Sequence, residues 1–112
     1  KILEADIIIL ATGYKPNTSL AKDAGLLLTK YGGIWVDEYM RTANKDIFAI
    51  GDCSARRDFI TRDPSKVMLA STSSSEARVA ARSLYSISTL KGFNGTIAIF
   101  STMIGNRVFA SA

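Results

Sequence analysis

Apolar residues along this 112-residue chain fall into short runs of two different kinds. The stretch ADIIILATGYKPN, residues 5–17, opens on a continuous apolar run at 7–11, which predicts a strand buried on both faces as in parallel α/β sheets. Thr12-Gly13 breaks that run and Pro16-Asn17 turns the chain. A short helix is expected next, capped by Asn17 or Thr18 and closed by Gly25. The pattern LLLTKYGGIWVDEYMRTA predicts a hairpin around Tyr31-Gly32-Gly33, with Ile34-Trp35-Val36 as its second strand. Ile47-Phe48-Ala49-Ile50 predicts a buried strand that runs straight into Gly51-Asp52-Cys53, and a polar loop, 54–66, follows. From about residue 70 to 87, Ala70, Ala77, Ala80, Ala81, Leu84 and Ile87 recur at helical spacing, so a helix is expected to press a face of small side chains against a neighbour. TIAIF and NRVFASA, joined through Gly105-Asn106, predict an antiparallel pair.

Composition narrows the chemistry more than the fold. Lys and Arg number 14 against 10 Asp and Glu, a net charge of +4. That suits anionic ligands and falls short of the basic stripe of a nucleic-acid binder, so no nucleic-acid partner is expected. With one cysteine and no histidine, an internal disulfide is excluded and the commonest metal ligand is missing, so no metal site is expected. Cysteine usage points to a reducing compartment, and a cytoplasmic location is expected. The longest apolar run is far too short to span a bilayer, so no membrane partner is expected. The chain starts at Lys1 without Met and ends just after a strand-like run, which reads as a piece of something longer.

The join at Gly51-Asp52 carries the sharpest signal. In open α/β sheets ligands sit beyond the carboxyl ends of strands, and glycine lets a ligand approach the backbone there. A carboxylate at such a tip only accepts hydrogen bonds, so it suits a polyol hydroxyl better than a phosphate. Asp52 could instead cap the loop or pair with Arg56 or Arg57, as is common for Asp at strand ends, and the dipeptide alone favours that reading.

The longer string TANKDIFAIGDCS resembles the second flavin-binding motif of the flavoprotein disulfide reductases, which carry two dinucleotide-binding domains. ILATGYKPNTSL is similar to the Ala-Thr-Gly segment where that family's chain leaves its NAD(P) domain, and GLLLTKYGGIWVDEYMRT is similar to the connecting strands. All three stand in family order over residues 5–54. Downstream, Leu69, Arg78-Val79-Ala80 and Gly95-Thr96-Ile97 look like the branch of NADH oxidases, coenzyme A disulfide reductases and persulfide reductases. Met68 stands where that branch usually has Pro, and Ser73-Ser74-Ser75 replaces its Ala-Asn-Lys run.

The resemblance implies an α/β fold: part of a FAD/NAD(P)-binding Rossmann-like domain with short strands and one long helix, then the first strands of an α+β dimerisation domain. Residues 1–17 would hold the last strand of the NAD(P) domain and the crossing, 18–92 the C-terminal segment of the FAD domain, and 93–112 the start of the interface domain. It implies FAD as cofactor, NAD(P)H as co-substrate, and as partners the remainder of the parent flavoprotein and a second copy in a homodimer. It implies that Asp52 binds the ribitol of FAD with Gly51 admitting the chain, that Leu69, Ala70 and Ser71 face the pyrimidine side of the flavin, and that Thr12-Gly13 lies near the cofactor. No residue of this chain is expected to be catalytic. The chain contains no Gly-x-Gly-x-x-Gly, so both phosphate-cradling loops are expected upstream of Lys1 and the chain alone is expected to be inactive. Cys53 is expected to be structural, Trp35 and Tyr39 to be core, and Arg56, Arg57 and Arg62 to lie in an exposed, solvated loop. The rival expectation is a stand-alone interaction module without redox chemistry.

Overall fold

A computed structural model of the chain describes residues 2–85 and 92–111. In order it contains helix α1 (Ser19–Asp23), a 3₁₀ turn (Gly51–Cys53), strands β1 (Arg56–Arg57) and β2 (Pro64–Ser65), helix α2 (Ala70–Ser83), and strands β3 (Phe100–Ile104) and β4 (Arg107–Ser111). The α/β character, with short strands and one long helix, is as expected. The strands form two antiparallel pairs, β1 with β2 and β3 with β4. The Cα radius of gyration is 17.3 Å, against about 13 Å for a compact chain of this length, so the elements do not close around one core.

Local turn chemistry explains the elements that match expectation. Gly25, at φ +73°, ends α1; its N–H donates to Lys22 O and that of Leu26 to Ala21 O, the paired bonds of a Schellman closure. Thr18 stands at the start of α1 but its hydroxyl donates to Gly32 O at 2.9 Å rather than capping the helix. The hairpin over 27–35 forms, with Thr29 N–H donating to Gly33 O, Trp35 N–H to Leu27 O, and an antiparallel bridge between Leu28 and Ile34. Gly105-Asn106 makes the β3–β4 turn, although β3 begins at Phe100, where the expected strand ended.

Three expectations are corrected. Residues 7–11 form no strand and stay exposed, because no neighbouring strand supplies ladder partners among the described residues. Residues 47–50 make only one bridge, Phe48 with Arg41, and of the four only Ala49 is buried. The face of α2 that packs inward is Thr72, Glu76 and Ala80, while Ala70, Ala81 and Leu84 are exposed; Ile87 lies outside the described residues. That stripe has i, i+4, i+8 spacing, but its central member is an acid rather than a small apolar residue. The hydroxyls of Ser73, Ser75 and Ser83 donate to the carbonyls four residues before them, which accommodates a serine-rich sequence in a helix. Among the described residues, no helix is long and apolar enough to cross a membrane.

Candidate functional site

The site forms where the segment after the apolar run 47–50 meets α2. Two turns before it aim the chain. Asp37 Oδ1 accepts from the N–H groups of Tyr39 and Arg41, each at 2.9 Å, and its Oδ2 pairs with Arg41 Nε at 2.9 Å. This holds buried Met40 at φ +66°, a left-handed conformation that a long side chain adopts only when its surroundings demand it. Thr42, the threonine of the flavin-motif string, is also buried; its hydroxyl donates to Asn44 O and accepts from Asn44 N–H, closing a local turn. Ala49 N–H then donates to Met40 O, so the turn reaches forward to the Gly-Asp segment.

Beyond Ile50 the backbone swings through Gly51 at φ +78° into the 3₁₀ turn. That conformation, which favours glycine, turns the Gly51 N–H to Glu76 Oε2 at 2.7 Å. On the other side Ile34 N–H donates to Cys53 O and Ala55 N–H to Ile34 O, both at 2.7 Å. A Cβ on Gly33 would lie 3.1 Å from Ala55 Cα, so the hairpin approaches this segment as closely as backbone can. The tip carrying Asp52 is therefore clamped between the hairpin and α2.

The clamp contains an ion pair that sequence reasoning missed. The Glu76 and Arg56 side chains are 1% and 2% exposed, and Arg56 Nε donates to Glu76 Oε1 at 2.7 Å. Arg56 also donates through Nη2 to Glu76 Oε2 at 3.3 Å and Ser73 Oγ at 3.0 Å, and through Nη1 to Val67 O at 2.6 Å. The solvated-loop expectation is thus wrong for Arg56, because pairing β1 with β2 turns that side chain inward; Arg57 and Arg62 are exposed as expected. The signal was present: Glu76 is the one acid in α2, and it shares a helix face with Thr72 and Ala80. No side-chain polar atom in the buried parts of the described residues lacks a hydrogen-bond partner.

Asp52 faces the other way. Its side chain is 59% exposed, and Arg56 Nη1 lies 3.6 Å from its Oδ1, so the pairing alternative is present only as a loose contact. Asp52 borders a cavity of about 840 Å³ together with Thr12 and Gly13, which brings three of the expected site residues around one space. Half-buried Trp35 lines the same cavity, so it is not simply core, and half-buried Tyr39 lies under the Arg41 guanidinium at 5.5 Å. Lys15, Arg57 and Lys66 also border the cavity, and the Lys66 ammonium sits 5.4 Å from the Tyr31 ring centroid. Leu69 lines a neighbouring hollow of about 430 Å³ that shares Tyr14, Lys66, Val67 and Met68 with the first. Gly51 sits behind the tip, and Ala70 and Ser71 are exposed on the first turn of α2, which has no side-chain cap. Cys53 is half-buried, its Sγ 3.4 Å from Ile50 O, in keeping with a packed neighbour of the site.

The order of turn, Gly-Asp tip and helix follows the order of the motif that the sequence resembles. A family model described as pyridine nucleotide-disulphide oxidoreductase matches residues 1–77, and the chain belongs to that family. Over 54 residues it is 46% identical to a nitric oxide reductase FlRd-NAD(+) reductase of Escherichia coli, a match covering 48% of this chain and 14% of that protein. An NAD-dependent persulfide reductase from A. fulgidus superposes with a TM-score of 0.86 at 33% identity, covering 95% of this chain and 19% of that one. A FAD-dependent pyridine nucleotide-disulphide oxidoreductase from Desulfovibrio vulgaris superposes with a TM-score of 0.78 at 39% identity, covering 91% of this chain and 25% of that one. The chain thus spans a quarter or less of the length of each of these proteins.

Proposed function

We propose that this chain supplies one edge of the FAD site in a flavin-dependent NAD(P)H oxidoreductase of the NADH oxidase and coenzyme A disulfide reductase-like branch. The observation that carries the reading is the clamped Gly51-Asp52 tip, which presents a carboxylate to the cavity that Thr12 and Gly13 also border. The residues fit such a group. Asp52 has exposed acceptor oxygens for a ribitol hydroxyl, and the left-handed Gly51 holds the backbone where the cofactor chain would pass. The uncapped first turn of α2 after Leu69 offers main-chain N–H groups and the positive end of a 14-residue helix to the pyrimidine side. The chemistry that FAD supplies when bound is two-electron transfer from NAD(P)H to a disulfide, a persulfide or oxygen. This chain's residues bind and orient; none is assigned a catalytic role. In the same reading, residues 1–17 belong to the NAD(P) domain and its crossing, 18–92 to the FAD domain and 93–112 to the interface domain of a cytoplasmic homodimer.

Replacing Asp52 by Ala in the protein that carries this chain tests the site. The change removes one or two charge-assisted hydrogen bonds, each about 1.5–3 kcal/mol, so FAD affinity falls at least roughly tenfold. Unchanged flavin content in Asp52→Ala would remove Asp52 from the site. The 112-residue chain by itself should be colourless and should not oxidise NADH; an absorbance band near roughly 450 nm from bound oxidised flavin would contradict that.

A further inference from the structure

The Arg56–Glu76 pair joins α2 to the segment that carries the tip. Arg56 has five N–H donors, and four are committed: Nε and one Nη2 N–H to Glu76, the other Nη2 N–H to Ser73 Oγ, and one Nη1 N–H to Val67 O. The fifth, also on Nη1, makes no hydrogen bond among the described residues; Nη1 lies 3.6 Å from Asp52 Oδ1, beyond a good hydrogen bond. Two carboxylates therefore lie within reach of one buried guanidinium, and Glu76 holds it at 2.7 Å while Asp52 is left with free acceptor oxygens. Glu76 also accepts the Gly51 N–H at 2.7 Å, one residue before Asp52.

We propose that Glu76 is a positioning residue that keeps Asp52 available to a ligand by holding Arg56 away from it. The inference rests on the reading of Asp52 as a cofactor-binding residue. Without the Glu76 charge, the buried Arg56 cation has Asp52 as its nearest carboxylate and draws it inward, because a buried charge without a partner is far less stable than a paired one. Asp52 then spends its acceptor oxygens on Arg56 instead of on a hydroxyl of the ligand.

The test is a double-mutant cycle read by titrating FAD into the flavin-free form of the protein that carries this chain. Glu76→Gln keeps the side-chain shape and removes the charge; it should raise the dissociation constant for FAD about tenfold, the equivalent of one lost charge-assisted bond. In an Asp52→Ala background the same change should have no further effect, since Asp52 is the residue through which Glu76 acts. The neutral pair Arg56→Gln with Glu76→Gln removes both charges, leaves no unpaired cation, and should return the affinity to within about threefold of the original. Equal losses from Glu76→Gln with and without Asp52 would show a structural role only and overturn the proposal. So would a tenfold loss that persists in the neutral pair. If Glu76→Gln alone does not fold, the neutral pair decides by itself on the same threefold and tenfold limits. Failure of the cofactor reading is distinguishable, because Asp52→Ala alone would then leave FAD affinity unchanged, and the proposal would go with it.

Discussion

Residues 7–10 are the most apolar stretch of the chain and stay 79–86% exposed, whereas residues 51–56, with a carboxylate and a guanidinium among them, include two of its buried positions. The difference shows what decides burial here. A strand-like run needs a neighbour to take its backbone hydrogen bonds and cover its side chains, and the described residues offer 7–10 none. The 51–56 segment has Ile34 on one side and Glu76 on the other, and each contact satisfies a specific polar group. Among the described residues, the buried polar and charged positions, Thr42, Ser54, Arg56, Thr72 and Glu76, outnumber the buried apolar ones. The β3–β4 hairpin resembles the N-terminal run, with ten residues all exposed on its two strands.

The contrast breaks most visibly at Glu76. Glu76→Ala leaves the buried Arg56 guanidinium without its carboxylate and should lower stability by about 3–5 kcal/mol, measured as a shift of the urea midpoint; a loss below about 1 kcal/mol would show that the polar cluster is not what holds this region. Next in size is Gly95→Ala. A Cβ there would sit 2.6 Å from Arg57 O at φ +116°, and the resulting strain, on the order of 1–3 kcal/mol, should detach the following segment from β1. Amide exchange reads this directly, since the bonds from Phe59 N–H to Thr96 O and from Thr96 N–H to Arg57 O should lose protection first.

Ile9→Ser tests the exposed side of the contrast. Ile9 is 86% exposed, so in the 112-residue chain the change should stay within about 0.5 kcal/mol. A larger loss would mean that a second molecule or a rearranged strand covers the run in solution. The smallest expected effect belongs to Asp58, whose Oδ1 accepts from the N–H groups of Thr61 and Ile60 at 2.8 and 2.9 Å. These bonds favour the ionised form and hold its carboxyl below the usual 3.8. A carboxylate with a lowered folded-state value contributes stability that is present above its unfolded value and is lost as pH falls through the folded one. Asp58→Asn should therefore slightly lower the melting temperature at neutral pH and flatten its fall below about pH 4; an unaltered acid slope would count against the local turn.

Where the chain was legible in its sequence, the cause was local. Gly25 closes α1, the hairpin turns before Gly33, and Gly105-Asn106 joins β3 to β4, because each depends on backbone conformations within a few residues. Gly51 was legible as a break for the same reason, whereas the role expected of Asp52 came from the resemblance of the longer string. The strand at 47–50 was not, since alternation and length describe what a segment could pair with and not whether the partner is there. Arg56 looked like one more loop charge until β1 paired with β2. Glu76, twenty residues further on, carried no expectation until α2 docked on the 3₁₀ turn.

The sequence by itself determined the turn positions, the carboxylate that follows Gly51 at the end of an apolar segment, and the family that this combination resembles. Tertiary structure alone decided that Thr12 and Gly13 share a cavity with Asp52, that Arg56 is buried, and that Glu76 is the acid that holds it. The physical reason is range. Turn geometry is set by dihedral preferences a few residues wide, whereas a charge can leave water only when an opposite charge, placed by a distant part of the chain, comes to meet it.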